Sequence, residues 1–245
     1  KYNAAFKNLH IAASGNYNLF TTTNATYDPT LHVEDCTVDA AYNVVYDSHN
    51  TQNFKSVYFG NSIVKMTVAN KPFYSTKSKG AYTQQSIRLE NNVFYAETPL
   101  QNYLINCGDR SQAFQTTRLQ VEVTNNTIYN IYQPNIMIRA YVLAGLTVTK
   151  NVGYYTGVTA KNYLTGVYDT AGFTADKAEV TYNYLYTAPV SDTNFWSAKH
   201  TGSYTPANNQ MGDGVEAPFS SMDAAKGYFP VDASVVKTGA GATYD

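Results

Sequence analysis

Seven short stretches of the chain alternate apolar and polar residues and then end in a small or amide residue. They are LHIAAS (9–14), LHVEDC (31–36), VYFGNS (57–62), IRLENN (87–92), VEVTNN (121–126), LTVTKN (146–151) and AEVTYN (178–183). Each begins apolar–x–apolar, which is the alternation of a β-strand with one buried face. The closing residues recur at intervals of 22 to 34 residues. This variable period favours a solenoid of β-coils with loops of different length over a propeller or a helical array.

The alternation also predicts which side chains fill the interior of the solenoid. In a parallel β-helix each strand pairs with its equivalents in the coils above and below, roughly 4.8 Å away. The first apolar positions, from Leu9 to Ala178, then form one inward stack, and the second, from Ile11 to Val180, form the next. The sequence therefore predicts an all-β fold: a single-stranded, right-handed parallel β-helix of about seven coils.

Other segments complete the predicted organisation. Second strands are expected at NVVYD (43–47), YLINC (103–107), NIMIR (135–139) and NYLTGVYD (162–169), which build another face. The polar stretch 68–85 is expected to project as a loop, and residues 186–217 are expected to be irregular. We predict one domain over residues 1–245, with coils at about 9–185 and an irregular loop and C-terminal cap at about 186–245.

Asparagine closes four of the seven repeats, and its position predicts a structural role. The four residues are Asn92, Asn126, Asn151 and Asn183. Each follows a predicted strand, where the chain turns a tight corner, and Asn tolerates the left-handed backbone conformation that suits such corners. Stacked Asn amides also hydrogen-bond along the axis of a solenoid. We therefore predict a structural asparagine ladder at this corner.

The repeats and the end of the chain together resemble a known superfamily. The pattern IRLENNVFY, VEVTNNTIYN and LTVTKN is similar to the right-handed parallel β-helices of the pectin-lyase-like superfamily. Residues 217–245 resemble a closing segment of its secreted bacterial members, with Pro218, Phe219, Gly227, Phe229, Ser234, Gly239 and Gly241 at the matching places. Enzymes share this segment with uncharacterised domains of gut-bacterial glycan-utilisation systems. The resemblance therefore implies the fold and a secreted, periplasmic or cell-surface location, and no single activity.

Composition narrows the classes of partner. Charged residues make up 14% of the chain and the formal net charge is −1, against about 25% charged residues in an average protein. Without a basic patch we expect no nucleic-acid partner, and without a long apolar run we expect no transmembrane segment. Cys36 and Cys107 are predicted to be buried free thiols.

The outward positions of the repeated strand define the candidate site. One column contains His10, His32, Tyr58, Arg88, Glu122, Thr147 and Glu179, and the other contains Ala12, Glu34, Gly60, Glu90, Thr124, Thr149 and Thr181. In the superfamily that the chain resembles, an exposed sheet face often forms the sugar-binding cleft. The candidate glycan-binding residues are His32, Glu34, Tyr58, Arg88, Glu90 and Glu122. Tyr58 offers an aromatic surface for a sugar ring.

Motifs for catalysis are missing from the coil strands. A lyase requires a base and a cation beside the substrate carboxylate, roles for which Arg88 or His32 are the candidates. Calcium-dependent lyases of this fold hold the ion in a cluster of acids, and hydrolases of this fold pair two aspartates on adjacent turns. Neither pattern occurs in the predicted strands, so we assign no catalytic residue and predict no metal and no cofactor.

Three functions are compatible with these patterns. The leading prediction is a non-catalytic, secreted or surface-attached glycan-binding β-helix in bacterial polysaccharide utilisation. It would act as a monomer, with a polysaccharide or oligosaccharide as its partner. The first alternative is a polysaccharide lyase or glycoside hydrolase of the pectin-lyase-like fold. The second is a structural or adhesive solenoid, because a solenoid presents a long repetitive surface.

Overall fold

The computed structural model of the chain describes residues 3–22, 29–40, 42–47, 54–76, 85–107, 119–133, 136–140, 143–155, 163–167, 178–187, 196–198, 207–211, 219 and 240–243. Within these ranges the chain forms 22 strands and no helix. The paired strands for which a register is defined run parallel and lie in three sheets. The prediction of an all-β parallel β-helix is confirmed.

Each coil of the solenoid contributes one strand to each of the three sheets, which we call sheets A, B and C. Sheet A contains β1 (Asn3–Lys7), β4 (Thr30–Glu34), β7 (Ser56–Gly60), β10 (Gln85–Glu90), β13 (Leu119–Thr124), β16 (Leu143–Thr149) and β19 (Ala178–Thr181). Sheet B contains β2 (His10–Ala12), β5 (Thr37–Ala40), β8 (Ile63–Met66), β11 (Val93–Gln101), β14 (Thr127–Tyr132), β17 (Val152–Tyr155), β20 (Tyr184–Thr187) and β22 (Gln210–Met211). Sheet C contains β3 (Phe20–Thr22), β6 (Val45–Asp47), β9 (Tyr74–Thr76), β12 (Ile105–Cys107), β15 (Ile136–Ala140), β18 (Tyr163–Val167) and β21 (Trp196–Ala198).

The inward stacks of sheet A follow the predicted alternation from the second coil onward. Buried members of the two stacks are Leu31, Val57, Ile87, Val121 and Leu146, and Val33, Phe59, Leu89, Val123, Val148 and Val180. Because successive residues of a strand face opposite sides, the residues between them point outward. The pairing register therefore fixes which polar residues share the outer surface.

The first coil departs from the sequence alignment. Its inward residues in sheet A are Ala4 and Phe6, which lie in register with the buried residues of β4. Ile11, predicted for this stack, lies in sheet B, and Leu9 is 47% exposed. The prediction for these two residues is wrong because two consecutive strands of the first coil alternate, and alternation alone does not show which one belongs to sheet A.

The asparagine ladder is confirmed at the corner between sheets A and B. Asn92, Asn126, Asn151 and Asn183 are buried, and each backbone N–H donates to the side-chain Oδ1 of the next asparagine along the chain, at 2.9–3.0 Å. Their Nδ2 groups donate to backbone carbonyls of the preceding coil at 2.8–3.0 Å. The ladder thus satisfies polar groups at a buried corner that water does not reach.

Two features of the ladder were not predicted. It continues to Asn209, whose Oδ1 accepts from the N–H of Asn183, and it begins with Ser62 and Cys36, where Ser62 Oγ accepts from Cys36 N–H at 3.1 Å. The left-handed residue is not the ladder residue but the one before it. These preceding residues are Asp35, Asn61, Asn91, Asn125, Lys150, Tyr182 and Asn208, with φ between 48° and 57°.

Other predictions for the coils are confirmed or corrected by the remaining strands. The four predicted second strands correspond to β6, β12, β15 and β18 of sheet C. The stretch 68–85 is not wholly a projecting loop, because Phe73 and Tyr74 are buried and β9 pairs within sheet C; residues 77–84 lie outside the described part. The stretch 186–217 contains the short strands β21 and β22. Cys36 and Cys107 are buried and do not form a disulfide, as predicted.

The outer side of sheet B is covered by the C-terminal segment. Buried residues of this side, which we call face B, are Val93, Tyr95, Tyr129 and Val152, and they form a second apolar cluster with Phe219, Ala240 and Ala242. Gly241 N–H donates to the carbonyl of Lys150 at 2.7 Å, and Thr243 N–H donates to Asn91 Oδ1 at 2.7 Å. The described part of the predicted cap therefore lies along the side of the solenoid. Pro218, Gly227, Phe229, Ser234 and Gly239 lie outside the described residues.

Candidate functional site

The outward residues of sheet A form a continuous polar surface, which we call face A. Its first column is Ala5, His32, Tyr58, Arg88, Glu122, Thr147 and Glu179, and its second is Lys7, Glu34, Gly60, Glu90, Thr124, Thr149 and Thr181. All six predicted candidate residues lie on the four neighbouring strands β4, β7, β10 and β13. In the first coil, Ala5 and Lys7 take the places that the sequence alignment gave to His10 and Ala12, which lie in sheet B.

An aromatic pair lies on the second and third strands of face A. The rings of His32 and Tyr58 are stacked, with centroids 4.6 Å apart and planes 30° apart. The Tyr58 side chain extends along its own strand, so that its hydroxyl lies over Gly60. A Cβ added at Gly60 would be 2.2 Å from the hydroxyl oxygen. The glycine therefore leaves room for the hydroxyl end of the ring above the strand, while one ring face stacks on His32. The pair presents an aromatic surface whose polar edge is the tyrosine hydroxyl.

Arg88 lies beside this pair and is held by two carboxylates. Its Nη2 is 2.7 Å from Glu90 Oε2, and its Nε is 3.6 Å from Glu122 Oε2. The guanidinium carbon also lies 5.7 Å from the centroid of the Tyr58 ring, which is within the range of a cation–π contact. Although its side chain is 51% exposed, two of its donor nitrogens already face carboxylates of the protein.

A second ionic group lies at the other end of the aromatic pair. Lys7 Nζ is 3.1 Å from Glu34 Oε2 and 3.2 Å from Asp35 Oδ2, and His32 Nε2 is 3.5 Å from Glu34 Oε2. The hydrogen bond from Lys7, followed by that from His32, lowers the pKa of Glu34. Its carboxylate is therefore ionised at neutral pH and accepts hydrogen bonds. The alignment of the internal repeats missed Lys7, because it placed residues 9–14 of the first coil in sheet A instead of residues 3–7.

The pKa of Tyr58 is shifted in the direction opposite to the one that a catalytic base requires. Burial raises the pKa of Tyr58, and the negative charges of Glu90 and Glu34 raise it further. Tyr58 therefore keeps its proton at neutral pH and acts as a hydrogen-bond donor or acceptor. A general base requires a group that gives up its proton near the working pH.

The later coils of face A carry hydroxyl groups instead of charge pairs. Thr124, Thr149 and Thr181 continue the second column, and Thr147 lies in the first. Thr181 Oγ1 donates to Glu179 Oε1 at 3.1 Å. Face A is therefore ionic and aromatic over β1 to β13 and mainly hydroxyl-bearing beyond.

Clusters of metal-ligating side chains and cavities are the other features that bear on chemistry. Among the described residues, no group of three or more His, Cys, Asp or Glu side chains is arranged to hold a metal ion. A cavity of about 250 Å³ lies at the corner between sheets A and B, under the C-terminal segment, and its lining includes Asn61, Asn91 and Thr243. Its lining contains none of the six predicted candidates. Sequence reasoning missed it because Asn91 and Thr243 are 152 positions apart.

Comparisons with known proteins do not assign the chain to a family. No family model matches it, no curated protein matches it, and no solved structure matches it. The class that the fold defines is thus a parallel β-helix. In the ranges that the structure describes, no helix has the length and apolar character needed to cross a membrane.

Proposed function

We propose that the protein is a glycan-binding member of the pectin-lyase-like superfamily, secreted or displayed on a bacterial cell surface, that takes part in polysaccharide utilisation. The observation that supports this proposal best is the stacked His32–Tyr58 pair on face A. Aromatic faces contact the apolar face of a sugar ring, and charged groups beside them make strong hydrogen bonds to hydroxyls. Glu34, Arg88 and Glu90 lie around the pair in that way.

The extent of face A favours a polymer over a single sugar. The two outward columns cross seven paired strands, which at about 4.8 Å per strand span roughly 30 Å. Hydroxyl-bearing side chains continue from Thr124 to Thr181 after the aromatic pair. A chain of several sugars that lies across the strands meets polar groups along its whole length.

Two pKa shifts disfavour particular catalytic roles for the groups beside the aromatic pair. The pKa of Glu34 is lowered, whereas a carboxyl group that acts as a general acid requires a raised one. The pKa of Tyr58 is raised, whereas a tyrosine base requires a lowered one. Glu34 is therefore poorly suited to act as a general acid and Tyr58 as a general base at neutral pH, whereas both are suited to hydrogen bonding.

The test is retention by polysaccharides in a native gel, combined with an assay for new reducing or unsaturated ends. We expect at least one polysaccharide to slow the protein without release of product. Tyr58→Ala should abolish most of the retardation, because it removes half of the stacked pair. Tyr17→Ala is the matched control, since Tyr17 is 75% exposed and lies in the first coil outside face A.

The outcomes separate the three functions. Retention that depends on Tyr58 and not on Tyr17 supports the proposal. Release of product would replace it with a lyase or hydrolase, and Arg88→Ala would then be the next variant. Neither retention nor product on the whole panel would contradict glycan binding and leave the structural or adhesive function as the explanation of the solenoid.

A further inference from the structure

The charges on face A are unequal. Its two outward columns contain four carboxylates (Glu34, Glu90, Glu122 and Glu179) and two permanent cations (Lys7 and Arg88). The neighbouring outward column, from Asn3 through Thr30 and Ser56 to Ser86 and Gln120, carries no charge. Face A therefore has a negative excess, although the whole chain is nearly neutral at a net charge of −1.

Both cations are already paired with carboxylates. Lys7 contacts Glu34 and Asp35, and Arg88 contacts Glu90 and Glu122. An acidic sugar that approached Arg88 would lie close to the carboxylates of Glu90 and Glu122. Two like charges at such distances repel each other, and this repulsion selects against the wrong partner.

The position of the tyrosine hydroxyl gives an independent indication of the local potential. The hydroxyl lies over Gly60, and in the pairing register Gly60 is flanked by Glu34 in one coil and Glu90 in the next. After burial, the negative charges of these two glutamates are what raise the pKa of Tyr58. The tyrosine hydroxyl is therefore bordered by a hydrogen-bond acceptor in the coil on each side.

We propose, on the basis of the glycan-binding function proposed above, that face A takes neutral polysaccharides and rejects polyuronates. The hydroxyl groups of a neutral sugar donate to the ionised carboxylates of Glu34 and Glu90 while its ring lies on the His32–Tyr58 pair. A uronate brings a carboxylate to the same place and meets no unpaired cation on the two columns. Because Lys7 and Arg88 are both paired with carboxylates, face A selects neutral polysaccharides over polyuronates.

The first experiment measures retention in gels that contain a neutral polysaccharide such as xylan or mannan, polygalacturonate, or chitosan. We expect retention by a neutral polymer that changes less than about twofold between 50 and 500 mM NaCl, because hydrogen bonding and stacking are not screened by salt as ion pairs are. Stronger retention by polygalacturonate would overturn the inference and leave glycan binding intact. So would salt-sensitive retention that is strongest with chitosan. Retention by none of the polymers would overturn the glycan-binding function and the inference with it.

The second experiment removes the two carboxylates that pair with Arg88. The double variant Glu90→Gln/Glu122→Gln removes both carboxylates from Arg88, and we expect it to gain retention by polygalacturonate of at least about tenfold, which would be lost at high salt. Adding Arg88→Gln to the double variant should abolish this gain. The control is Asp39→Asn/Glu97→Gln, which makes the same change in net charge on the strands of sheet B. An equal gain in the control, or no gain in the double variant, would contradict the role given to the paired arginine.

Discussion

Faces A and B lie on either side of one corner of the solenoid, yet they have opposite surroundings. Face A carries ion pairs, threonines and an aromatic pair that is partly open to solvent. Face B carries Val93, Tyr95, Tyr129 and Val152, which the C-terminal segment covers. The same alternation of inward and outward residues thus produces one solvent-facing surface and one second core.

A covered face of a solenoid can be recognised from the sequence of its strands. Strands of sheet A are apolar only at inward positions, whereas β11 begins with VFYA, in which inward and outward residues alike are apolar or aromatic. A strand that is buried on both faces loses the alternation that marks a half-exposed strand. Because face B is occupied by the chain itself, face A is the surface of this pair that a ligand can reach.

The largest effect is expected at the corner that both faces share. Asn126 is fully buried, accepts from the N–H of Asn92 and donates to Leu89 O and Asn151 Oδ1. Asn126→Ala leaves several buried polar groups without partners, at about 1–3 kcal/mol each, so we expect the free energy of unfolding to fall by about 4 kcal/mol or more. Denaturant unfolding measures the loss.

This substitution also tests whether the two faces are one cooperative unit. We expect amide hydrogen exchange to rise in β10 and β13 of sheet A and in β11 and β14 of sheet B together. The control is Asn125→Gly, because Asn125 has a φ of 56°, a conformation that glycine adopts without cost. A rise confined to one sheet would show that the ladder supports that sheet alone.

The next largest effect is expected where the C-terminal segment covers face B. Phe219 is 8% exposed, and its ring centroid lies 5.9 Å from Tyr154 and 6.2 Å from Tyr129. Phe219→Ala should lower the free energy of unfolding by about 3 kcal/mol and increase the binding of an apolar dye. Glycan retention should not change if face A alone binds the ligand. Loss of retention in a folded variant would contradict the division between the two faces.

The contrast between the exposed face A and the covered face B also explains which parts of the fold could be predicted from the sequence. Sheet A from its second strand onward, four strands of sheet C and the ladder from Asn92 to Asn183 could be predicted, because polar outward residues alternate with apolar inward ones or because an asparagine recurs. The strands of sheet B were not predicted, since their outward residues in the middle coils are apolar as well. The last rung, Asn209, lacks a preceding apolar–x–apolar strand, so its pattern was too short to recognise.

The candidate site shows a similar limit. Strand alternation was enough to place His32, Tyr58 and Arg88 on one surface, because the strands pair in register. It could not show that the Tyr58 ring lies over Gly60, or that Lys7 reaches Glu34. These contacts depend on rotamers and on the path of the first coil, and neither leaves a periodic signal.

Two glycine substitutions separate face A from the interior of the solenoid, with a smaller effect. Gly153→Ala places a Cβ 2.7 Å from Leu185 Cδ2 and 2.8 Å from the Tyr155 hydroxyl, so overpacking should lower the free energy of unfolding by about 1–3 kcal/mol and spare glycan retention. Gly60→Ala displaces only the outward Tyr58 ring. We expect it to weaken retention by roughly tenfold, equivalent to about 1.4 kcal/mol, with little change in stability. Equal effects of the two variants on retention would contradict the assignment of face A.

The smallest effect concerns the ion pair at the edge of face A. The hydrogen bond from Lys7 lowers the pKa of Glu34 below its unfolded value of 4.5, so the pair contributes stability above about pH 4.5. That contribution is lost as the pH falls through the folded pKa, because the protonated carboxyl no longer attracts Lys7. Lys7→Met should therefore raise the pKa of Glu34, as measured by NMR titration, and flatten the acid limb of the stability profile. Lys65→Met, which breaks the pair with Glu97 on β11, should leave the Glu34 titration unchanged, because that pair lies on the strands of sheet B.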